Sequence, residues 1–287
     1  MKSLSKSQFT LIVFGILLIL FFVIFFANKT VPLKQNSSVE EKKNISLANL
    51  DEYSAEKTAL LPDSLKAVFR KLEKGITSEN ADSLAYSKLI KFLDGIFMND
   101  VAAYFSYKKA VHFPNAKNWF ESGNRLLTSV QFINSQKPVS EKYGNLPETF
   151  LNYSVKCFEQ GLKLDSTNTD SKIKLATCYL EDKLDPMKGI TLLRKIEETD
   201  SNNVNLQLAF AFASVKSGQI EKAILRFNKV LLLDPNNLSV YLYLADIYEQ
   251  QGKKELVLKT LEEYAGRVPD ADAKKEIRKY IDKLKNS

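Results

Sequence analysis

The sequence predicts an all-α protein, an α-solenoid of helix–turn–helix repeats behind an N-terminal transmembrane helix. Three observations predict it. Phe9–Ala27 is a single apolar run with only Thr10 as an interruption. Beyond it strand signals are scarce, while apolar residues at helical spacing are frequent. Val204–Asn237 and Leu238–Ala271 are two 34-residue segments with matching residues at matching places.

The apolar run comes first. Nineteen residues at ~1.5 Å rise are just enough to cross the ~30 Å hydrocarbon layer. Lys2, Lys6 and the free amine precede it, which favours a cytoplasmic N-terminus for residues 1–8, although Lys29 and Lys34 follow it. A cleaved signal peptide is the competing reading. It needs a shorter apolar run and small residues ahead of the cut, and Phe25-Phe26-Ala27 puts a bulky side chain there. No cysteine lies near the segment, which excludes a lipoprotein anchor. The expectation is an uncleaved, single-pass signal anchor over 9–27. The remainder then lies on the extracytoplasmic side, the periplasm in a bacterium with two membranes. Asn28 to about Asn49 lacks apolar periodicity and reads as a flexible linker, placed at 28–50, with an end-to-end distance of about 25 Å.

Residues 51–115 read as N-terminal helices. Asp63 can cap a helix carrying Leu65, Val68, Phe69 and Leu72, with Gly75 to end it. Ser78 can cap the next, with Leu84, Ile90, Leu93 and Phe97 among its apolar positions. A further helix runs from about Asp100 to His112, and Pro114 closes it.

The repeat is clearest over 204–237 and 238–271. Gly218 matches Gly252 in a turn, Ala211 matches Ala245, Ala223 matches Val257, Phe227 matches Leu261 and Pro235 matches Pro269. This pattern resembles the tetratricopeptide-repeat (TPR) family, whose units are helix–turn–helix pairs of that length. The resemblance implies a right-handed solenoid in which small residues let helices cross closely and a large apolar residue fills the space between pairs. It extends to 169–203, where Leu175-Ala176, Tyr179, Gly189 and Leu193 take the corresponding places. It also extends to a split unit over 116–168. There Trp119 and Gly123 open the first helix, Ser154, Phe158, Gly161 and Asp165 mark the second, and an inserted loop spans 131–148. A degenerate pair at 82–115 carries Ala103, Tyr107, Ala110 and Pro114. Residues 272–287 close the array as a capping helix, with Ile277, Tyr280, Ile281 and Leu284 on one side and Lys274, Lys275, Arg278, Lys279 and Lys283 on the other.

The formal net charge is +7, but the lysines are scattered among Asp and Glu, so they read as solvated helix faces and not as a nucleic-acid surface. Cys157 and Cys178 make neither a disulfide framework nor a metal motif; they read as small apolar residues at helix interfaces, with a disulfide open to them in an oxidising compartment. His112, the single histidine, sits at a helix end where the dipole suits it. No P-loop, nucleophile elbow or paired-carboxylate pattern occurs. The reading is therefore a non-enzymatic chain with no catalytic residue, cofactor or metal, an enzyme with an unrecognised site being the alternative of another class.

The resemblance also implies where a protein or peptide partner binds, on the face lined by first helices. Counting along the repeats, that lining is Phe120, Asn124 and Leu127, then Ile173, Thr177 and Leu180. Asn205, Leu208, Phe212 and Val215 follow, and finally Leu242, Asp246 and Glu249. Much of it is apolar, which suits an amphipathic helix, an extended apolar peptide or the chain's own insertion or N-terminal helix. The clamp that some TPR proteins use on the carboxyl terminus of Hsp70/Hsp90 chaperones is not expected. Asn124 matches one clamp position, but Phe120 and Ala209 stand where its Lys and Arg belong. The functional expectation is a membrane-anchored scaffold in an envelope complex. The alternative is an assembly factor of the cytochrome c maturation type that holds an unfolded client.

Overall fold

Helices account for most of the described backbone. The computed structural model describes residues 47–78, 82–134, 143–181 and 184–286. In chain order the helices are α1 (Leu47–Ala59), α2 (Asp63–Thr77), α3 (Ser83–Gly95), α4 (Asn99–His112), α5 (Ala116–Asn134), α6 (Leu146–Leu164) and α7 (Thr169–Tyr179). They continue as α8 (Pro186–Thr199), α9 (Val204–Lys216), α10 (Ile220–Leu233), α11 (Leu238–Gln250), α12 (Lys254–Arg267) and α13 (Ala271–Lys285). Among the described residues there is no strand. The helices fall in two compact units, one within Ser38–Thr199 and one within Asp200–Ser287. In each unit successive helices pair and stack in sequence order, as in an α-solenoid. The expected transmembrane run at 9–27 lies outside the described residues. Among the described residues no helix is long and apolar enough to cross a membrane.

Several helix starts are written in short polar side chains. Asp82, Asn168, Asn203 and Asp270 each accept a hydrogen bond from the backbone N–H three residues on, satisfying a donor that the first turn cannot pair. Three of the loops between pairs share the pattern Asp-x-x-Asn, at Asp165–Asn168, Asp200–Asn203 and Asp234–Asn237. Asp165 accepts from the Thr167 N–H and hydroxyl, and Asp234 from the Asn236 N–H. The side chains of Asn203 and Asn237 donate back to Asp200 and Asp234. At the turns inside the two C-terminal pairs Gly218 and Gly252 have φ of +71° and +68°, a region where a Cβ is strained.

The N-terminal part departs from the expected boundaries. α1 begins inside the stretch read as linker, and Leu50 and Tyr53 are buried in the core. Asp63 is the first residue of α2 and makes no cap bond. That helix runs past Gly75 to Thr77, because nothing there forces a left-handed turn. Asp82, and not Ser78, caps α3. Val68, Leu84 and Phe97 are exposed, whereas Phe69, Ile90 and Leu93 are buried. The insertion expected at 131–148 is shorter: α5 continues to Asn134 and α6 starts at Leu146, with Pro147 in its first turn where the missing N–H costs nothing.

α1 is fastened to α4 by polar groups. Asp100 is 1% exposed, accepts from the Tyr53 hydroxyl and pairs with Lys57 at 3.2 Å. Asp51 accepts from the Tyr104 hydroxyl and from Lys108 at 3.0 Å. The Tyr53 and Tyr104 hydroxyls titrate far above the usual tyrosine range, first because they are buried and then because carboxylates face them.

The repeat positions behave as their residue types require. Ala211, Ala245, Ala223, Val257, Phe227 and Leu261 are all buried, as are Leu175, Ala176, Tyr179 and Leu193 of the preceding pair. Close approach explains two glycines. A Cβ at Gly189 would lie 2.8 Å from the Ala176 carbonyl oxygen, and one at Gly161 would lie 2.3 Å from the Phe120 ring. Cys157 and Cys178 are buried free thiols. Burial pushes each up to about 12, far from the thiolate that oxidation needs.

Candidate partner-binding site

The two units treat their first-helix residues differently. In the N-terminal unit the lining is largely engaged. Phe120 is half-buried with its ring over Gly161, and both it and Leu127 pack on Leu151, Phe158, Leu175, Cys178 and Tyr179. Ile173 is only 3% exposed, so its side chain belongs to the core and not to an open lining. Thr177 donates to the Ile173 carbonyl at 3.0 Å, and Leu180 folds against Gly189. Asn124 is exposed, but its Oδ1 accepts from Lys174 at 2.5 Å.

In the C-terminal unit the lining is more open. Phe212 follows Ala211, and one residue turns an α-helix by ~100°, so Ala211 is buried while Phe212 points outward, 41% exposed. Its ring stands at right angles to Tyr243 at 5.0 Å and packs edge-on to Phe227 at 5.5 Å, while Phe227 and Tyr243 stack at 5.6 Å. Such edge and stacked pairs add ~0.5–1.5 kcal/mol beyond area burial, so the three rings support one another in this arrangement. Leu208 and Val215 lie half-buried beside it, against the core of Ala223, Phe227 and Leu244, and Asn205 is exposed.

One repeat later Leu242 is half-buried, Asp246 is half-buried and Glu249 is exposed. The Asp246 carboxyl is raised from 3.8 to about 6, first by burial and then by the neighbouring Glu249, against a lowering bond from Gln250 at 2.7 Å. Among the described residues neither carboxylate forms an ion pair. Tyr280 on α13 is 45% exposed, and its hydroxyl is raised above the usual tyrosine range, first by burial and then by the Glu249 charge. Counting first helices missed Tyr243 and Tyr280. The period itself points to Tyr280, which stands 34 residues after Asp246 as Asp246 does after Phe212. It also missed Gln207, fully buried, which donates to the Ser201 carbonyl and accepts from Arg226 while Arg226 covers the Phe210 ring at 4.4 Å.

The remaining chemistry-bearing groups sit apart from this face. His112 ends α4, exposed, with Nδ1 against the Lys108 carbonyl and its ring beside Tyr86. Among the described residues no group of three or more His, Cys, Asp or Glu could hold a metal ion.

Comparison with known proteins agrees with this architecture. The sequence profile of the TPR repeat matches residues 213–252, which run from the end of α9 through α10 and α11 to the turn before α12. A tetratricopeptide repeat protein from Parabacteroides merdae is similar in structure at a TM-score of 0.50. It is 16% identical, and the match covers 84% of this chain and 87% of that one. YrrB, described as a TPR protein with an unusual peptide-binding site, matches at a TM-score of 0.38 and 18% identity over 72% of this chain and 97% of its own. No curated protein matches the sequence significantly.

Proposed function

We propose that this chain, which is a tetratricopeptide-repeat protein, holds a protein partner on the first-helix face of its C-terminal unit, from a position fixed at the membrane. Proteins of this kind generally mediate protein–protein interaction. The observation that carries the reading is Phe212, a large ring left 41% exposed while packed edge-on against two other aromatics. A pre-organised ring loses little freedom on binding, and aromatic anchors supply a disproportionate share of interface energy. The chain holds its partner without altering it. Phe9–Ala27 serves as the membrane anchor and the lysines ahead of it set the orientation, which makes the protein a scaffold of an envelope complex.

The test is capture of crosslinked partners from intact cells by the full chain and by Phe212→Glu, beside thermal melting of both. The expected result is lost capture with a melting temperature within a few degrees of the parent. Unchanged capture overturns the assignment of this face, and a collapsed transition shows that Phe212 is core. Alkaline extraction tests the anchor separately: the full chain stays with the membrane, and release into the soluble fraction contradicts that part.

A further inference from the structure

The C-terminal unit keeps two carboxylates where stability alone would not put them. Asp246 and Glu249 lie in the last turns of α11, the end at which the helix dipole favours cations, and that last turn holds no basic residue. They stand one turn apart and repel each other. Asp246 is half-buried with Gln250 as its hydrogen-bond donor. Lysines of α13 do not neutralise them. Lys279 pairs with Glu276 at 2.7 Å and Lys285 with Glu262 at 2.8 Å, and Lys283 is exposed without an ion pair among the described residues.

An aromatic pair lies beside the acids. Tyr243 sits one turn before Asp246 on the same helix and touches Phe212. Phe212, Asp246 and Tyr280 occupy one repeat position in three successive first-helix places, 34 residues apart. The surface is therefore an acidic step beside an aromatic wall. The ring faces and edges suit the aliphatic stem of a long cationic side chain and its charged head, and the carboxylates complete the pairing.

Resting on the reading of this face as the partner site, we infer that it takes a segment of a partner protein carrying a lysine or arginine between apolar side chains. Charge complementarity selects that occupant. The apolar flanks pack on Phe212 and Leu208, the cation meets Asp246 and Glu249, and an acidic segment is repelled by the same pair. The sign is opposite to that of a surface built to clamp a terminal carboxylate.

Two fluorescein-labelled, end-blocked peptides test it, one with a lysine between leucines and a twin with glutamate in place of the lysine. Anisotropy is measured with the full chain in mild detergent. The expected result is about tenfold or more tighter binding of the lysine peptide. The variant joining Asp246→Asn with Glu249→Gln loses that preference while its circular dichroism is unchanged. Equal affinity for the two peptides, no binding of either, or a preference that survives in the double variant overturns the inference. Binding that appears only after Lys29, Lys34, Lys42 and Lys43 are changed to glutamine makes the chain's own N-terminal residues the occupant and overturns it. Self-association abolished by the double variant does the same in favour of a second copy. If Phe212→Glu loses the crosslinked partner while the double variant keeps it, this inference falls and the proposed function stands. If Phe212→Glu keeps it, the proposed function falls first.

Discussion

The residue that follows the small crossing position is Asn124 in α5, Thr177 in α7, Phe212 in α9 and Asp246 in α11. In the N-terminal unit this residue is satisfied locally: Asn124 by Lys174, Thr177 by its own helix. In the C-terminal unit the same place holds an exposed ring and a half-buried carboxylate without a counter-ion among the described residues. One register thus yields a closed face and an open one, and the difference lies in the neighbours. Gly161 lets the Phe120 ring, one turn before Asn124, sink toward α6 and close that face, whereas in the C-terminal unit Phe212 rests edge-on against Phe227 and Tyr243 and stays at the surface. A repeat pattern predicts where side chains point, but the partner residue across the helix pair decides whether they stay in water.

The largest expected effects come from forcing the closed unit open. Gly189→Ala sets a Cβ against a backbone carbonyl that cannot swing aside, and Gly161→Ala drives into the Phe120 ring. Each should cost about 2–3 kcal/mol in urea unfolding. Combining Gly161→Ala with Phe120→Leu should recover part of the second loss and none of the first. If Gly161→Ala melts like the parent, Phe120 is not held where the closed face needs it. Gly75→Ala is the control within the same unit. It lies in the last turn of α2 with only the Ala85 Cβ at 4.0 Å and should be neutral or stabilising by up to ~1 kcal/mol.

Partner binding should divide the two faces next. Truncating Phe212 to Ala should weaken capture by about 2 kcal/mol, roughly thirtyfold, while Asn124→Ala leaves it unchanged. Equal losses at both sites would dissolve the contrast. A smaller effect concerns Asp246. Its folded carboxyl titrates near about 6 against 3.8 as the ordinary value, so the folded chain binds more protons between those limits. Stability therefore falls as pH rises through that window, and above it the cost is fully present. Asp246→Asn should remove this slope and stabilise the protein at neutral pH by roughly 1 kcal/mol, allowing for solvent screening of a half-exposed group. Parallel stability–pH curves for parent and variant would show that Asp246 is solvated like an ordinary carboxylate.

Much of the fold was legible because its signals are local. The paired positions Ala211 and Ala245, Phe227 and Leu261, and the turn glycines 218 and 252 all sit where the period put them. The N-terminal helices were harder, since their boundaries depend on what packs there. Asp63 looked like a cap and Gly75 like a stop, but Pro62 starts α2 and the burial of Ile76 carries it onward. α1 escaped because its apolar pattern is weak; polar bonds to Asp100 and from Tyr104, distant in sequence, hold it. The Asp-x-x-Asn loops were visible in the sequence and would have fixed three helix starts. For the site, repeat counting found the exposed Phe212 but could not separate it from buried Ile173, because both occupy first-helix positions and only packing distinguishes them.

The most direct test places a photo-crosslinking phenylalanine analogue at position 212, and in a second variant at position 124, in the full chain in its native cells. The account predicts a partner-sized adduct from position 212 that is absent from position 124. Adducts from position 124 with none from 212 would contradict it.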